Sequence, residues 1–132
     1  MNDDPSAGEY LVISRGHWDA DVSQQQIQGA IDRFYVWHAQ RVDEGKMKGG
    51  QRLAREGKLV TKRAVLDGPF AEAKEVIGGY WFITARSLTE AAQIAAQNPC
   101  LAFGLTFEIR PIEAVCASAF ALTSETPARR ET

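Results

Sequence analysis

The sequence is short of the residues that mark several common classes of protein. It has only two cysteines, Cys100 and Cys116, and neither has a histidine or another cysteine at metal-ligand spacing. Isolated cysteines indicate free thiols in a reducing compartment rather than a disulfide or a zinc site. No apolar run approaches the length of a membrane span, and the acidic start does not resemble a signal peptide. We therefore expect a cytoplasmic protein without a membrane partner.

An excess of positive charge is also missing. The chain has 15 Lys and Arg against 17 Asp and Glu, a formal net charge of -2. A protein without a basic field does not hold a nucleic-acid backbone by counterion release, so no direct nucleic-acid partner is expected. Phosphate-binding glycine loops, nucleophile elbows and paired Cys motifs are absent as well. We accordingly predict no organic cofactor and no metal ion.

What is present is typical of one globular domain. The chain has 132 residues, of which 45% are hydrophobic and 24% charged. Both ends are polar or rich in small residues and lack the apolar surface that offsets ordering entropy. We expect a flexible N-terminus over residues 1–8, one domain over 9–113, and a partly disordered C-terminal extension over 114–132.

The periodicity of apolar residues predicts the order of the elements. Residues 9–15 alternate as a strand, with Tyr10, Val12 and Ser14 on one face. A capping box then begins a helix that ends at Gly45. The box is formed by Ser23 and Gln26, and the helix carries one apolar stripe at three- and four-residue steps: Ile27, Ile31, Phe34, His38 and Val42.

The second half of the domain repeats this pattern. Residues 47–66 predict two strands joined by a turn at residues 55–58, and residues 78–85 predict a strand that is apolar on both faces. A second capping box, Ser87 with Glu90, begins an Ala-rich helix, and a last strand follows near residues 103–112. This order predicts an α+β fold of the ferredoxin-like split βαβ type: a sandwich with an antiparallel sheet and two helices on one face.

Two helices can cover only one face of such a sheet. The strand of residues 78–85 places aromatic or aliphatic residues on both sides, so water must also be excluded from the second face. We expect a homodimer with two-fold symmetry that packs sheet against sheet.

Three segments carry a resemblance to a known family. These are "VDEGKMKGGQRL", "LDGPFAEAKEVIGGYWFITA" and "NPCLAFGLTFEIRPI". Together they resemble the DGPF group of the YCII-related proteins over roughly residues 9–113. The resemblance implies a bacterial protein with a ferredoxin-like fold that assembles as a dimeric α+β barrel.

The resemblance brings no established reaction. Some relatives carry a His and an Asp proposed as an acid–base pair, but their His position falls here on Phe34, one helical turn before His38. DGPF members are often encoded beside, or fused to, alternative sigma factors. An association with such a factor is therefore one expected partnership, and an unidentified small molecule is the other.

The block around Asp67 is the first candidate site. Asp67, Gly68, Pro69 and Phe70 are typical of a tight turn, and the same residues also suit a rigid loop that shapes a ligand pocket. Asp67 is the candidate catalytic carboxylate. Gly68, Pro69, Phe70, Glu72 and Lys74 are the candidate ligand-binding residues, with Lys74 suited to an anionic group. A solvated charge run is the alternative for Glu72 and Lys74.

The two histidines are the second candidates. His38 lies on the inner stripe of the first helix, where it is either a core histidine or a general base near neutral pH. His17 lies in a loop that can reach the same site, and its neighbours in "HWDAD" are explained by the helix cap rather than by a metal. The aromatic residues Trp37, Tyr80, Trp81 and Phe82 suit a core and a dimer interface, or alternatively a ligand wall.

Two functional hypotheses follow. In the first, Asp67 with His38 or His17 moves a proton on a small substrate, as in a cofactor-free acid–base enzyme. In the second, the DGPF loop shapes a non-catalytic surface that binds a ligand or a protein. The variant Asp67→Asn separates them, because it abolishes turnover in the first case and alters binding alone in the second.

Overall fold

The computed structural model describes residues 8–68 and 76–128, which form two helices, six strands and a short 3-10 helix. The elements are, in chain order, β1 (Gly8–Arg15), α1 (Gln24–Asp43), β2 (Met47–Arg52), β3 (Lys58–Val60), β4 (Val65–Asp67), β5 (Ile77–Ala85), α2 (Leu88–Ala95), the 3-10 helix (Pro99–Phe103) and β6 (Thr106–Pro111). Neither described helix combines the length and the apolar character that a membrane span requires.

The main sheet has four antiparallel strands in the order β2-β5-β1-β6. Helix α1 joins β1 to β2, and β5 lies between these two strands. Helix α2 joins β5 to β6, and β1 lies between them. Each helix therefore connects strands that are separated by one neighbour, which is the split βαβ arrangement. The predicted α+β, ferredoxin-like fold is confirmed.

Both helices begin at a serine cap, but the two caps differ. At α1 the predicted box is complete: Gln26 N donates to Ser23 Oγ at 3.1 Å, and Ser23 N donates to Gln26 Oε1 at 3.0 Å. At α2 only half of it forms, because Ser87 Oγ accepts from Glu90 N while the Glu90 carboxylate turns to Arg86. The backbone N–H of Arg86 donates to Glu90 Oε1 and its guanidinium donates to Glu90 Oε2, so neither oxygen turns to Ser87 N.

The core lies between the helices and one face of the sheet. Val12, Met47 and Ile83 are fully buried there, and Ala91 and Ala95 of α2 pack over them. Helix α1 contributes Ala30, Phe34 and Trp37 to this core. The predicted apolar stripe of α1 is wrong at its last position. Val42, in the last turn of the helix, is exposed.

Cys100 fixes the 3-10 helix against α1. The side chain of Asn98 accepts a hydrogen bond from Cys100 N at 2.8 Å, and Cys100 Sγ lies 3.8 Å from the carbonyl oxygen of Ala30. Cys100 is buried, Cys116 is exposed and both are free thiols. Burial raises the pKa of the Cys100 thiol, and the charges of Arg33 and Arg52 partly oppose this effect.

The other face of the sheet faces away from the helices. Leu11 pairs with Phe82 and Ile13 pairs with Tyr80 across β1 and β5, so these four side chains share this face. The rings of Tyr80 and Phe82 meet edge to face with their centroids 5.9 Å apart. All four residues are half-buried within a single chain. We call this surface the open face.

The predicted turn at residues 55–58 is wrong. Strand β2 pairs with β5, and the hairpin is instead formed by β3 and β4 around residues 61–64. Thr61 makes this turn: its N donates to Ala64 O at 2.9 Å and its hydroxyl accepts from Ala64 N at 3.2 Å. A threonine hydroxyl that satisfies the turn backbone outweighs the Glu-Gly signal. We call residues 58–67 the hairpin arm.

The last strand is also shorter than predicted. Residues 99–103 form the 3-10 helix, and Gly104 follows with a φ of 111°. A Cβ there would lie 2.6 Å from the backbone nitrogen of Asp19, so the close approach of the two loops requires glycine. Strand β6 starts at Thr106 as a result.

Candidate functional site

Helix α1 and the inner face of the sheet meet at a group of rings that we call the aromatic cluster. Its members are Phe34, Trp37, His38, Trp81 and Phe107. The ring of Phe34 is central: its centroid lies 5.0 Å from that of Trp81, 5.5 Å from that of His38 and 6.0 Å from that of Trp37. The cluster therefore joins both layers of the fold.

The sequence places these rings together by simple periodicity. Phe34, Trp37 and His38 lie at positions i, i+3 and i+4 of α1, so they share one face of the helix. Trp81 lies on β5 at a position that faces the helices, and its ring contacts Phe107 of β6 with a centroid separation of 5.5 Å. Trp81 is only 8% exposed.

The cluster contains polar atoms without partners. Within the described residues, the buried side-chain nitrogen and oxygen atoms that lack a hydrogen bond are Trp37 Nε1, His38 Nε2 and Trp81 Nε1. All three belong to rings that contact Phe34. An unsatisfied buried polar group destabilises a fold by roughly 1–3 kcal/mol, and native proteins contain few of them. Three such atoms around one ring mark this place as chemically unusual.

His38 is held in its neutral form near neutral pH. Burial lowers its pKa, and a hydrogen bond with the backbone of Lys48 partly opposes this effect. The imidazole also meets Trp81 edge to face, with ring centroids 6.1 Å apart. A neutral imidazole has one donor and one acceptor nitrogen, so His38 can accept a proton or a hydrogen bond.

Asp67 lies in a different environment. It is the last residue of β4 on the hairpin arm, its side chain is 77% exposed, and it forms an ion pair with Lys58 across the arm. Gly68 N donates to Gly57 O at 2.7 Å, which continues the arm by one backbone bond. The other predicted ligand-binding residues, Pro69, Phe70, Glu72 and Lys74, lie outside the described residues.

The predicted catalytic residues lie on different segments: Asp67 at the end of β4, His38 on α1 and His17 between β1 and α1. His17 is exposed in the loop between β1 and α1. In the part of the chain that the structure describes, no hydrogen bond or ion pair joins Asp67 to His38 or His17. Those same residues contain no group of three or more His, Cys, Asp or Glu side chains placed to hold a metal ion. The catalytic roles of Asp67, His38 and His17 stay predictions.

The sequence did contain a signal for the cluster. Trp37 follows Phe34 by three residues and precedes His38 directly, and Trp81 lies in the most apolar strand. A buried tryptophan normally needs a partner for its indole N–H, so two tryptophans at core positions are a polar as well as an apolar signal. The sequence-based prediction places both indoles in the packed core and does not account for their N–H groups.

The fold and the cluster define a ferredoxin-like α+β protein whose candidate site lies between the first helix and the sheet. The chain belongs to the YCII-related family, because the model of the YCII-related domain matches residues 19–115. Among solved structures it is similar to the hydroxynitrile lyase from Passiflora edulis (PeHNL), at 13% sequence identity and a TM-score of 0.38, covering 86% of this chain and 100% of that chain. No curated protein matches the sequence.

Proposed function

We propose that this YCII-related protein binds a small, uncharged, planar molecule at the aromatic cluster. The observation that supports the proposal is the set of three unpartnered ring nitrogens around Phe34. A ligand that supplies acceptor atoms to the indoles would satisfy groups that are otherwise unfavourable in the free protein. Binding would thereby offset the destabilisation of the folded state that these unpaired groups cause.

The chemistry of the cluster selects the class of ligand. Each indole N–H is a donor only, and the neutral imidazole supplies one acceptor or one donor. The ring of Phe34 offers a face for stacking, and the surroundings of Trp81 are too apolar for an unpaired charge. An aromatic amide or phenol fits these requirements better than a carboxylate or an amine.

The three tryptophans provide the test. The indole N–H signals of ¹⁵N-labelled protein are recorded while benzamide or phenol is added, with benzoate as the charged comparison. We expect the signals of Trp37 and Trp81 to shift with the uncharged probes, and that of Trp18, outside the cluster, to stay in place. Shifts confined to Trp18, or none at all, would contradict the proposal.

Acid–base catalysis at the same place is the second candidate. The specific observation in its favour is the lowered pKa of His38, because a neutral imidazole has a free lone pair for proton abstraction. Comparison of His38→Gln with Asp67→Asn separates the candidates once a turned-over substrate is known. Loss of turnover in both variants would support the predicted pair, and loss in His38→Gln alone would place the chemistry in the cluster.

We also propose that the protein acts as a homodimer that covers the open face. The apolar centre of this face is bordered by ion pairs, among them Arg15 with Glu108 at 2.6 Å and Arg110 with Glu108 at 3.2 Å. An apolar centre with a charged border is typical of an interface. Sedimentation measures the oligomeric state of the wild-type protein and of Phe82→Asp. The wild type should be dimeric and the variant monomeric. Association with a sigma factor stays a prediction from the family resemblance.

A further inference from the structure

The hairpin arm is apolar on both of its faces. Leu59 pairs with Leu66 on one face, and Val60 pairs with Val65 on the other. All four side chains are about half exposed or more, and Val60 is 74% exposed. A strand pair with water on one side should alternate apolar and polar residues, so this pattern belongs to a hairpin that is covered on both sides.

Among residues 8–68 and 76–128, the arm also lacks the support that a hairpin needs. Its hydrogen bonds are internal, and they include the Thr61 turn and the Lys58–Asp67 ion pair. An isolated two-stranded hairpin is marginally stable in water, and independent stability needs a third strand or a packed layer. The main sheet does not provide this layer, because β3 and β4 form a separate two-stranded sheet.

A second segment has the complementary property. The C-terminal tail, residues 112–128 of the described chain, leaves β6 after Ile112 N donates to Glu9 O. Beyond that point its hydrogen bonds join residues two or three positions apart, as in the turn from Ser118 to Ala121. Its large apolar residues are open to water: Phe120 is fully exposed, and Val115 and Leu122 are mostly exposed.

The two segments also differ in charge. The arm, residues 58–67, contains three Lys or Arg against one Asp, whereas the sequence from residue 112 to residue 132 contains three Glu against two Arg. Opposite charge favours their association and orients it. Within one chain they leave the main sheet from different strands: the arm follows β2 at one edge, and the tail follows β6 at the other.

From this complementarity we infer that the hairpin arm of one subunit docks against the C-terminal tail of a second copy of this chain. In a two-fold dimer the contact occurs twice, so each subunit contributes one arm and one tail. Phe120 and Leu122 would cover the apolar residues of the arm, and Glu113 and Glu125 would lie near its basic side chains. The inference goes beyond ligand binding at the cluster and does not depend on it.

The exposed thiol of Cys116 gives a direct test in the full-length protein. The variant Val60→Cys places a second thiol on the arm, and mild oxidation is followed by gel electrophoresis without reductant. We expect a covalent dimer that reductant dissolves and that the double variant Val60→Cys, Cys116→Ser does not form. Gln40→Cys, on the exposed side of α1, is the matched control. It should form no more covalent dimer than the wild-type protein.

Each other outcome would overturn the inference. A faster-migrating monomer would show that the tail meets the arm of its own chain. A dimer that persists without Cys116 would show arm meeting arm, and cross-linking no greater than in Gln40→Cys would show no contact. A dimer seen by sedimentation without the cross-link would leave the open-face proposal standing and remove only this one.

Hydrogen exchange provides a second measurement that needs no disulfide. In Phe120→Ser the amides of Leu59 and Leu66 should exchange at least about tenfold faster than in the wild type, because the covering layer is weakened. Val36→Ser is the control, since Val36 is exposed on α1 and apolar but far from both segments in sequence. Unchanged exchange in Phe120→Ser would again overturn the inference.

Discussion

The aromatic cluster and the hairpin arm differ in the way that each handles its polar groups. The arm carries Asp67, the candidate catalytic carboxylate of the sequence, and this side chain is exposed and already paired with Lys58. The cluster is built from ordinary packing residues, yet three of its ring nitrogens are buried without a partner. A paired, hydrated carboxylate has little to gain from a ligand, whereas an unpaired buried donor has much to gain. Buried polar groups therefore favour the cluster as a candidate site more than exposed charge favours the arm.

The largest expected difference between the two regions is in stability. Trp81→Ala removes a ring that is 8% exposed and contacts both Phe34 and Phe107. We expect the free energy of unfolding to fall by about 3–5 kcal/mol, measured by urea denaturation. Trp18→Ala, in the loop before α1, is the control. A loss in Trp81→Ala no greater than in the control would show that the cluster is not the packed centre described above.

The cap of α1 should show the next largest effect. Three cluster members lie on α1, and Ser23 accepts the hydrogen bond of Gln26 N at its start. Ser23→Ala should lower the free energy of unfolding by about 1 kcal/mol, and Ser23→Gly by only a few tenths. A loss in Ser23→Ala well below about 0.5 kcal/mol would show that this hydrogen bond contributes little to the start of α1.

Asp67 on the arm should matter little for folding. Its ion pair with Lys58 is exposed at both ends. Asp67→Asn should therefore change the free energy of unfolding by less than about 1 kcal/mol, because exposed ion pairs gain little over their hydrated components. The indole signals of Trp37 and Trp81 should not move. A shift of either signal would reveal coupling between the arm and the cluster, and would revive the predicted pairing of Asp67 with a histidine.

The smallest effect is a change in pH dependence at His38. Burial lowers its pKa in the folded state, so the unfolded chain takes up the proton first as the pH falls below about 6.5, the ordinary value for imidazole. Stability should therefore decline as the pH falls from about 6.5 toward the lowered folded-state pKa. His38→Gln should have a flatter profile between about pH 7 and 5. Val36→Ser, at an exposed position of the same helix without a titratable group, is the control and should keep the wild-type slope.

The fold was predictable because its signals are local and agree with one another. The alternation in residues 9–15, the Ser23 and Gln26 cap and the glycine at 45 all predict the elements that form. The hairpin was misplaced because two turn signals lie close together, and a single hydroxyl at Thr61 decides between them. Such a choice depends on backbone geometry that residue types alone do not determine.

The candidate site was harder to predict for a different reason. The sequence indicates that Trp37 and Trp81 are buried, but whether an indole N–H finds an acceptor depends on what lies across the interface between α1 and β5. That is a tertiary property with no periodic pattern. Asp67, in contrast, attracted attention because Asp, Gly and Pro are clustered in sequence, and the same residues also serve a simple turn.

The buried thiol of Cys100 can report local opening of the structure, because a thiol reagent reaches it only when the surrounding packing opens. Cys116 is exposed and should react with a thiol reagent at once, whereas Cys100 is shielded by α1 and has a raised pKa that keeps it protonated. The slow phase of a labelling experiment therefore measures how often the 3-10 helix separates from Ala30. A ligand that tightens the packing of α1 against the sheet would lengthen that phase, so binding can be followed through a residue that never touches the ligand.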